Sequence, residues 1–298
     1  MTTANTSLAP LSHNLVLAAV RNALEEDLGL GGDITTDATV DPDVRSEALL
    51  AARKPGIVSG LALAEAAFRE LDPSCSFSIE VDDGDPVAAE GTIARITGTA
   101  RAILSAERVA LNFMGRMCGI ATLTWRYVDA VAGTDAKIVD TRKTTPGLRV
   151  FEKYAVRCGG GHNHRFGLFD AVLIKDNHII AAGGVAAAIE AAKAAAGHMT
   201  KIEVEVDTLD QLEIVMREKV DCVLLDNMQP QMLREAVKIV GGHCLTEASG
   251  GVNLETVREV AAAGVDLISV GALTHSAPVL DLGLDFVTSP KKTRASNA

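Results

Sequence analysis

Residues 201–227 read KIEVEVDTLDQLEIVMREKVDCVLLDN. Two short apolar runs, 201–206 and 221–226, bracket a segment with helical character, and each run gives way to carboxylates: Glu205 and Asp207 at the first, Asp226 at the second. Apolar runs of this length alternating with helices form βα units, which build a parallel sheet covered by helices. Working outward, the same alternation continues in both directions. Apolar runs at 137–141 and 170–175 precede the stretch, runs at 244–248 and 266–271 follow it, and the alanine-rich segment 185–197 supplies one of the intervening helices. Six units in succession predict an α/β fold with a parallel sheet, either closed into a barrel or doubly wound. No GxGxxG turn opens a helix after the first of these strands, which weakens the dinucleotide-binding form of the doubly wound sheet.

Upstream the pattern differs. Leu17, Val20, Leu24 and Leu28 keep helical spacing, so a first helix is predicted over 13–28 with Gly29 as its stop, and the polar stretch 31–40 reads as a loop. Residues 46–98 switch to shorter alternating runs, such as 77–81 and 92–96, with an Asp-Gly turn at Asp83-Gly84; this predicts an α/β domain on a small antiparallel sheet. A long helical segment follows over 100–132, with a break expected near Gly115 or Gly119. It carries Arg101, Ser105, Arg108 and Asn112 on one face, which reads most simply as a solvated stripe. The segment from Pro278 is expected to return to the N-terminal domain.

Composition bounds the function. The 298 residues are 48% hydrophobic but only 3% aromatic, which suits closely packed helices around an aliphatic sheet. The five cysteines form no CxxC pair and no zinc spacing, so they read as reduced core thiols. The first residues lack the basic stretch of a secretory signal, and no segment offers a long run of strongly apolar residues, so a cytoplasmic location is expected. A net charge of −11 argues against nonspecific binding to nucleic acid or anionic membranes. Locally the balance reverses: between Arg142 and Lys175 lie Arg142, Lys143, Arg149, Lys153, Arg157, Arg165 and Lys175 against only Glu152 and Asp170, with His162 and His164 alongside. That cluster points to a small anionic ligand. Arg149, Lys153 and Arg157 are spaced four apart and are read as a solvated helix face.

In a parallel barrel the active site collects where the strands end. Here the strand ends are polar in succession: Thr141-Arg142-Lys143, Lys175-Asp176-Asn177, Glu205 and Asp207, Asp226-Asn227, Glu247 with Ser249-Gly250-Gly251, and Gly271. The small-residue loops Ser249-Gly250-Gly251 and Val270-Gly271-Ala272 can offer backbone N–H groups to a phosphate, although glycines at loops are common without one. A pair such as Glu205 and Asp226 on neighbouring strands can hold a divalent cation or face a developing cationic sugar; structural pairing with lysines is the plain alternative. Lys175, at the end of an apolar run, needs an anionic partner, a lowered pKa or a path to solvent. The glycines at 159–161 could let the backbone near His162 and His164 approach a ligand.

Several segments resemble those of the decarboxylating quinolinate phosphoribosyltransferases. They include 26–29 with 32–35, 107–112, the stretch 140–149 (DTRKTTPGLR), 161–165 (GHNHR), 173–178 (LIKDNH), 203–205 (EVE), 225–227 (LDN), 247–251 (EASGG) and 270–275 (VGALTH). The match spans almost the whole chain, and the 140–149 stretch is the most specific part of it. The resemblance implies an incomplete parallel α/β barrel over 119–277 and an N-terminal α/β sandwich over 1–118 joined by 278–298. It also implies synthesis of nicotinate mononucleotide from quinolinate and phosphoribosyl pyrophosphate. On it, Arg108, Thr141, Arg142, His164, Arg165 and Lys175 would hold quinolinate, and Lys143 would contact the pyrophosphate. Glu205 and Asp226 would hold Mg²⁺ and the ribose, and Ser249, Gly250, Gly251, Val270, Gly271 and Ala272 would cradle the 5-phosphate, with His275 a weaker candidate. Lys143, Lys175, Glu205 and Asp226 would be the catalytic set. The family pattern is a homodimer, or an assembly of such dimers, in which Arg108 reaches the partner's site. Competing readings are a related transferase acting on another base, as in the molybdenum-transport-associated relatives, a Schiff-base lyase using Lys175, and a non-catalytic phosphosugar-binding protein.

Overall fold

The structure, a computed structural model, describes residues 8–287. Residues 1–7, on which the expectation about a secretory signal partly rests, and residues 288–298, the end of the segment expected to return to the N-terminal domain, lie outside the described residues. The chain divides into two compact units, Met1–Gly119 with Val279–Ala298, and Ile120–Pro278.

The first unit begins with α1 (His13–Leu28), whose buried stripe is Val16, Val20 and Leu24. Gly29, at φ 51, ends it, as a residue without Cβ does most readily. The polar stretch expected to be a loop contains a short helix, α2 (Ile34–Thr39), because the Asp33 carboxylate accepts the Thr36 N–H at 3.0 Å and caps its first turn. There follow β1 (Arg45–Ala52), β2 (Gly56–Ile57), α3 (Leu61–Leu71), β3 (Ser76–Ile79), β4 (Pro86–Val87) and β5 (Thr92–Thr99). Strands β3 and β5 pair antiparallel, Phe77 opposite Ile96, but β4 lies in the connection between them, so Asp83-Gly84 is not a simple hairpin turn.

Helix α4 (Ala100–Ala130) is unbroken, contrary to the break expected at its glycines. Gly115 has a different purpose: the Leu280 N–H donates to its carbonyl at 3.0 Å, and a Cβ there would press on Val279. The returning segment thus docks on this helix.

The second unit contains β6 (Lys137–Val139), α5 (Arg149–Cys158), β7 (Val172–Ile174), α6 (Asp176–Ala182), α7 (Val185–Ala195), β8 (Ile202–Val206), α8 (Leu209–Val215), β9 (Cys222–Asp226), α9 (Pro230–Val240), β10 (Leu245–Ser249), α10 (Val257–Ala261), β11 (Leu267–Ser269) and α11 (Ala272–His275). After it the chain re-enters the first unit as β12 (Leu282–Phe286), which pairs antiparallel with β1 and completes the sheet order β12-β1-β5-β3. In the second unit every pairing is parallel, in the order β6-β11-β10-β9-β8-β7.

Helix-covered parallel strands are buried on both faces and read as continuous apolar runs. Val204, Val223 and Leu225 are accordingly 0% exposed, each such side chain contributing roughly 1.5–3 kcal/mol by its burial. The sheet does not close. Strands β6 and β7 are not paired with each other, and β6 carries on its open side only a single parallel bridge, Val139 to His162. An incomplete barrel is therefore the observed form. None of the five cysteines is in a disulfide; Cys75, Cys118, Cys158 and Cys222 are buried, whereas Cys244 is only half-buried and so is not a core thiol. No single helix among the described residues is long and apolar enough to cross a membrane.

Candidate active site

Side chains alternate between the faces of a strand, so residues two apart share a face. Glu203 and Glu205 on β8, Leu224 and Asp226 on β9, and Glu247 and Ser249 on β10 follow this spacing. At the C-terminal ends of the strands all of these except Glu203 line a cavity of about 780 Å³. Around it the structure gathers Thr141, Arg142, Lys143, His164, Arg165, Lys175, Glu205, Asp226, Ser249, Gly250, Gly251, Val270, Gly271, Ala272 and His275. Of the residues expected at the site, Arg108 alone is not among its lining. It belongs to the other unit, where it is exposed on α4.

The cationic wall is held in place by backbone contacts. Arg165 donates from Nη1 to the Ala171 carbonyl at 2.9 Å, while the buried Nε atoms of Arg142 and Arg165 have no hydrogen-bond partner. Burial, and then the neighbouring Arg142 charge, lower the Arg165 pKa. Two guanidinium groups that repel each other and keep unsatisfied N–H donors make a receptor for planar carboxylates. Lys143 is exposed, its N–H donates to the Thr141 hydroxyl at 3.0 Å, and its carbonyl accepts the Thr274 hydroxyl at 2.8 Å.

Lys175 does not sit in an apolar pocket. Its side chain is 45% exposed and its ammonium pairs with Glu205 at 2.6 Å, so the surroundings that would sustain a Schiff-base lysine are missing. His178 accepts the Lys175 N–H at 3.0 Å and serves as a cap for α6. Asp226 accepts the Asn227 amide at 2.6 Å.

Asn227 at φ 54, just after β9, and Gly250 at φ 92, just after β10, shape two adjoining loops. A Cβ on Gly250 would collide with the Asn227 side chain, whereas Gly251, at φ 62, faces open space. A Cβ on Gly271 would crowd Lys143 and His275. Glycine is thus required by close approach and positive φ at 250, while at 271 a side chain would need Lys143 and His275 to give way slightly. Helix α10 starts only at Val257 and has five residues, so backbone N–H groups of the loop itself are the donors available there.

Two expectations about the cationic segment are corrected. Lys153 is not on a solvated face: it and Asp140 are both 0% exposed and pair directly. Arg149 is likewise engaged, donating to the Thr144 hydroxyl at 3.0 Å and the Phe166 carbonyl at 2.9 Å. The glycines at 159–161 serve packing rather than a ligand, because a Cβ on Gly159 or Gly161 would run into Ala121 or Thr124 of α4.

The Lys153–Asp140 pair positions the site. Asp140 accepts the His164 N–H at 2.8 Å and the Asn163 amide at 2.6 Å, and Lys153 donates to the His164 carbonyl at 3.0 Å. Burial raises the Asp140 pKa and lowers that of Lys153, each opposed by the other's charge. The His164 ring is also committed within the protein. Nδ1 accepts the Arg165 N–H at 2.8 Å, and Nε2 lies 2.9 Å from Glu203 and 3.7 Å from Glu247. Burial disfavours the imidazolium, yet Glu203 and Glu247 outweigh burial and raise the pKa. A second ring proton would still have to displace the Arg165 N–H, which favours the Nε2-protonated neutral ring.

Glu247, noted in the sequence as a polar strand end but not as a site residue, lines the cavity at 1% exposure. Its place in the middle of β10, two residues before Ser249 on the same face, was the available signal. Burial, and then the Glu203 charge, push its pKa up to about 8.

Comparison with known proteins agrees with this geometry. The family model for the C-terminal domain of quinolinate phosphoribosyl transferase matches residues 120–285, and that for the N-terminal domain matches 33–118. The chain belongs to the quinolinate phosphoribosyltransferase family. It is 45% identical over 272 residues to the nicotinate-nucleotide pyrophosphorylase [carboxylating] of Mycobacterium leprae, covering 90% of this chain and 95% of that one. It is 45% identical over 291 residues to a decarboxylating quinolinate phosphoribosyltransferase of Nicotiana tabacum, covering 90% and 81%. Among solved structures, the nicotinate-nucleotide pyrophosphorylase of Francisella tularensis superposes with a TM-score of 0.90 at 39% identity, covering 95% of this chain and all of that one. For a family member, the cavity at the strand ends is the candidate active site.

Proposed function

We propose that this chain transfers the phosphoribosyl group of phosphoribosyl pyrophosphate to the ring nitrogen of quinolinate, releasing pyrophosphate and carbon dioxide and giving nicotinate mononucleotide for NAD formation. The observation that carries the reading is the convergence of Arg142, Lys143, Arg165 and Lys175 with Glu205 and Asp226 on one cavity, in a chain of this family. Both substrates are polyanions, and an acidic protein that concentrates cations at one pocket suits them.

In this reading Arg142 and Arg165 hold the quinolinate carboxylates through their unpaired N–H groups, and Lys175 adds a third cation. Thr141 and His164 form the adjoining wall. Lys143 meets the leaving diphosphate, and the backbone of 249–251 and 270–272 receives the 5-phosphate. Glu205 and Asp226 face the ribose, where negative charge favours the oxocarbenium-like transition state. Mg²⁺ fits this donor set, since a hard cation takes one or two carboxylates and completes its shell with substrate oxygens and water. Glu205 and Asp226 would hold it, and it would supply charge neutralisation at the diphosphate. Arg108 acts in a second copy of the chain, so the working form is a homodimer or an assembly of dimers. The protein works in the cytoplasm without nucleic acid or membrane partners.

The test is an assay of purified protein with phosphoribosyl pyrophosphate and either quinolinate or nicotinate. Pyrophosphate and carbon dioxide released in equal amounts from quinolinate, with no turnover of nicotinate, is the expected result. Turnover of nicotinate alone rules the reading out.

A further inference from the structure

Beside His164 of the cavity wall lie two carboxyl groups to which the phosphoribosyl transfer gives no part: Glu247, which lines the cavity, and Glu203, which does not; the ligand-capable atoms of all three lie within 4.8 Å of one another. Glu203 and Glu247 are 8% and 1% exposed, and an oxygen of each, Oε1 in both cases, is buried with no hydrogen-bond partner. Among the described residues neither forms an ion pair with lysine or arginine; the imidazole is their shared neighbour. His164 has one N–H to give, at Nε2, and it is directed to Glu203 at 2.9 Å, because Nδ1 already accepts from Arg165. Glu247, 3.7 Å from the same nitrogen, is left without that proton.

A buried carboxylate with no counter-charge beside a second carboxylate is costly, and the lower-energy state gives Glu247 its own proton. The groups facing it agree. Burial comes first and the Glu203 charge of β8 second in disfavouring a negative Glu247; His164 and the Ser269 hydroxyl of β11 pull the other way, and Asp140, just after β6, adds a smaller push upward. Cys222 of β9, whose thiol is driven up by burial and by both glutamates, adds no charge. Among the acidic side chains lining the cavity, Glu205 is ion-paired with Lys175 and Asp226 is bonded to Asn227, so Glu247 is the one with both the burial and the solitude to keep a proton.

We propose that Glu247 is a catalytic residue that donates the proton taken up by the pyridine ring at the carbon losing carbon dioxide, an inference that rests on the decarboxylating reading above. In that step the bond between the ring carbon and its carboxylate breaks, and carbon dioxide leaves. The electron pair stays on the ring carbon beside the positively charged ring nitrogen. A C–H bond then forms with the Glu247 carboxyl proton, leaving Glu247 as a carboxylate. Water returns the proton when product departs. Arg142 and Arg165 keep the other carboxylate and the ring in place.

The experiment follows pyrophosphate and carbon dioxide separately in single turnovers of the intact protein with quinolinate and phosphoribosyl pyrophosphate. Wild type is compared with Glu247→Gln, which keeps the shape but has no acidic proton, and Glu247→Asp, which keeps an acid. In Glu247→Gln carbon dioxide release should slow about a hundredfold more than pyrophosphate release, the scale of a lost general acid, with a dicarboxylated nucleotide accumulating. Glu247→Asp should recover part of the difference, and the fall of wild-type carbon dioxide release above pH about 8 should be absent in the Gln variant. Pyrophosphate and carbon dioxide that stay coupled in Glu247→Gln, whether both persist or both fall by one factor, overturn the proposal. Failure of wild type to decarboxylate quinolinate would instead refute the function.

Discussion

Replacing Lys153 by Met should unfold the site although Lys153 does not itself line the cavity. Its ammonium and the Asp140 carboxylate are both 0% exposed, and Lys153 also lies 5.1 Å from the Phe166 ring centroid. Removing the cation leaves Asp140 as a buried charge with only the His164 N–H and the Asn163 amide to serve it. Breaking a buried pair in this way costs about 3–5 kcal/mol. With roughly 2–4 °C of melting temperature per kcal/mol for a unit of this size, Tm should fall by about 6–20 °C. Asp140 and Lys153 both position the backbone of His164, so the KM for quinolinate should rise in whatever folded fraction remains. Adding Asp140→Asn to Lys153→Met should recover much of the lost stability, because no uncompensated charge is then left behind. Thermal melts followed by circular dichroism, with quinolinate kinetics below the transition, give the readout. A Lys153→Met protein that melts within about 1 °C of wild type would show that Lys153 is the solvated face its spacing suggested, for which changes stay within about 0.5 kcal/mol.

Gly250→Ala should raise the KM for phosphoribosyl pyrophosphate more than that for quinolinate, since a Cβ at φ 92 collides with Asn227 and distorts the loop assigned to the 5-phosphate; equal changes in both constants would count against that assignment. Glu247, raised from 4.5 to about 8, binds a proton on folding, so its contribution is fully present below pH 4.5 and is lost as pH rises to about 8. Wild type should therefore lose stability relative to Glu247→Gln across that window, and parallel denaturant-unfolding curves from pH 5 to 8.5 would contradict it. Mixing inactive Arg108→Ala with inactive Asp226→Asn should restore about a quarter of wild-type activity if copies exchange at random and sites are shared between subunits; no recovery after verified exchange excludes a trans role for Arg108.

The parallel sheet was legible because apolar runs at 201–206 and 221–226, with their neighbours, carry both the period and the polar strand ends. These ends converge as a barrel requires. What escaped depends on partners remote in sequence or on a neighbour's shape. A lysine spaced for a helix surface reveals nothing of its burial until Asp140 is brought against it. Gly159 and Gly161 look like a ligand loop, and only the passage of α4 shows why they lack side chains. Gly115 suggested a kink but accommodates the strand returning from far along the chain. Helix α2 was hidden in a polar stretch because its partners are a local cap at Asp33 and remote side chains of α4, Arg101 bonding Asp37 and the Val40 carbonyl and Ser105 bonding Asp33. Glu247 was visible only as one acidic letter in a strand, since its protonation depends on Glu203 and His164 across two neighbouring segments.

The most direct test of the central claim is a crystal structure with quinolinate bound. The account predicts the two carboxylates against Arg142, Arg165 and Lys175, with the ring nitrogen turned towards the Glu205 and Asp226 side of the cavity. Quinolinate bound outside this cavity, or inside it with its carboxylates away from those three cations, would contradict it.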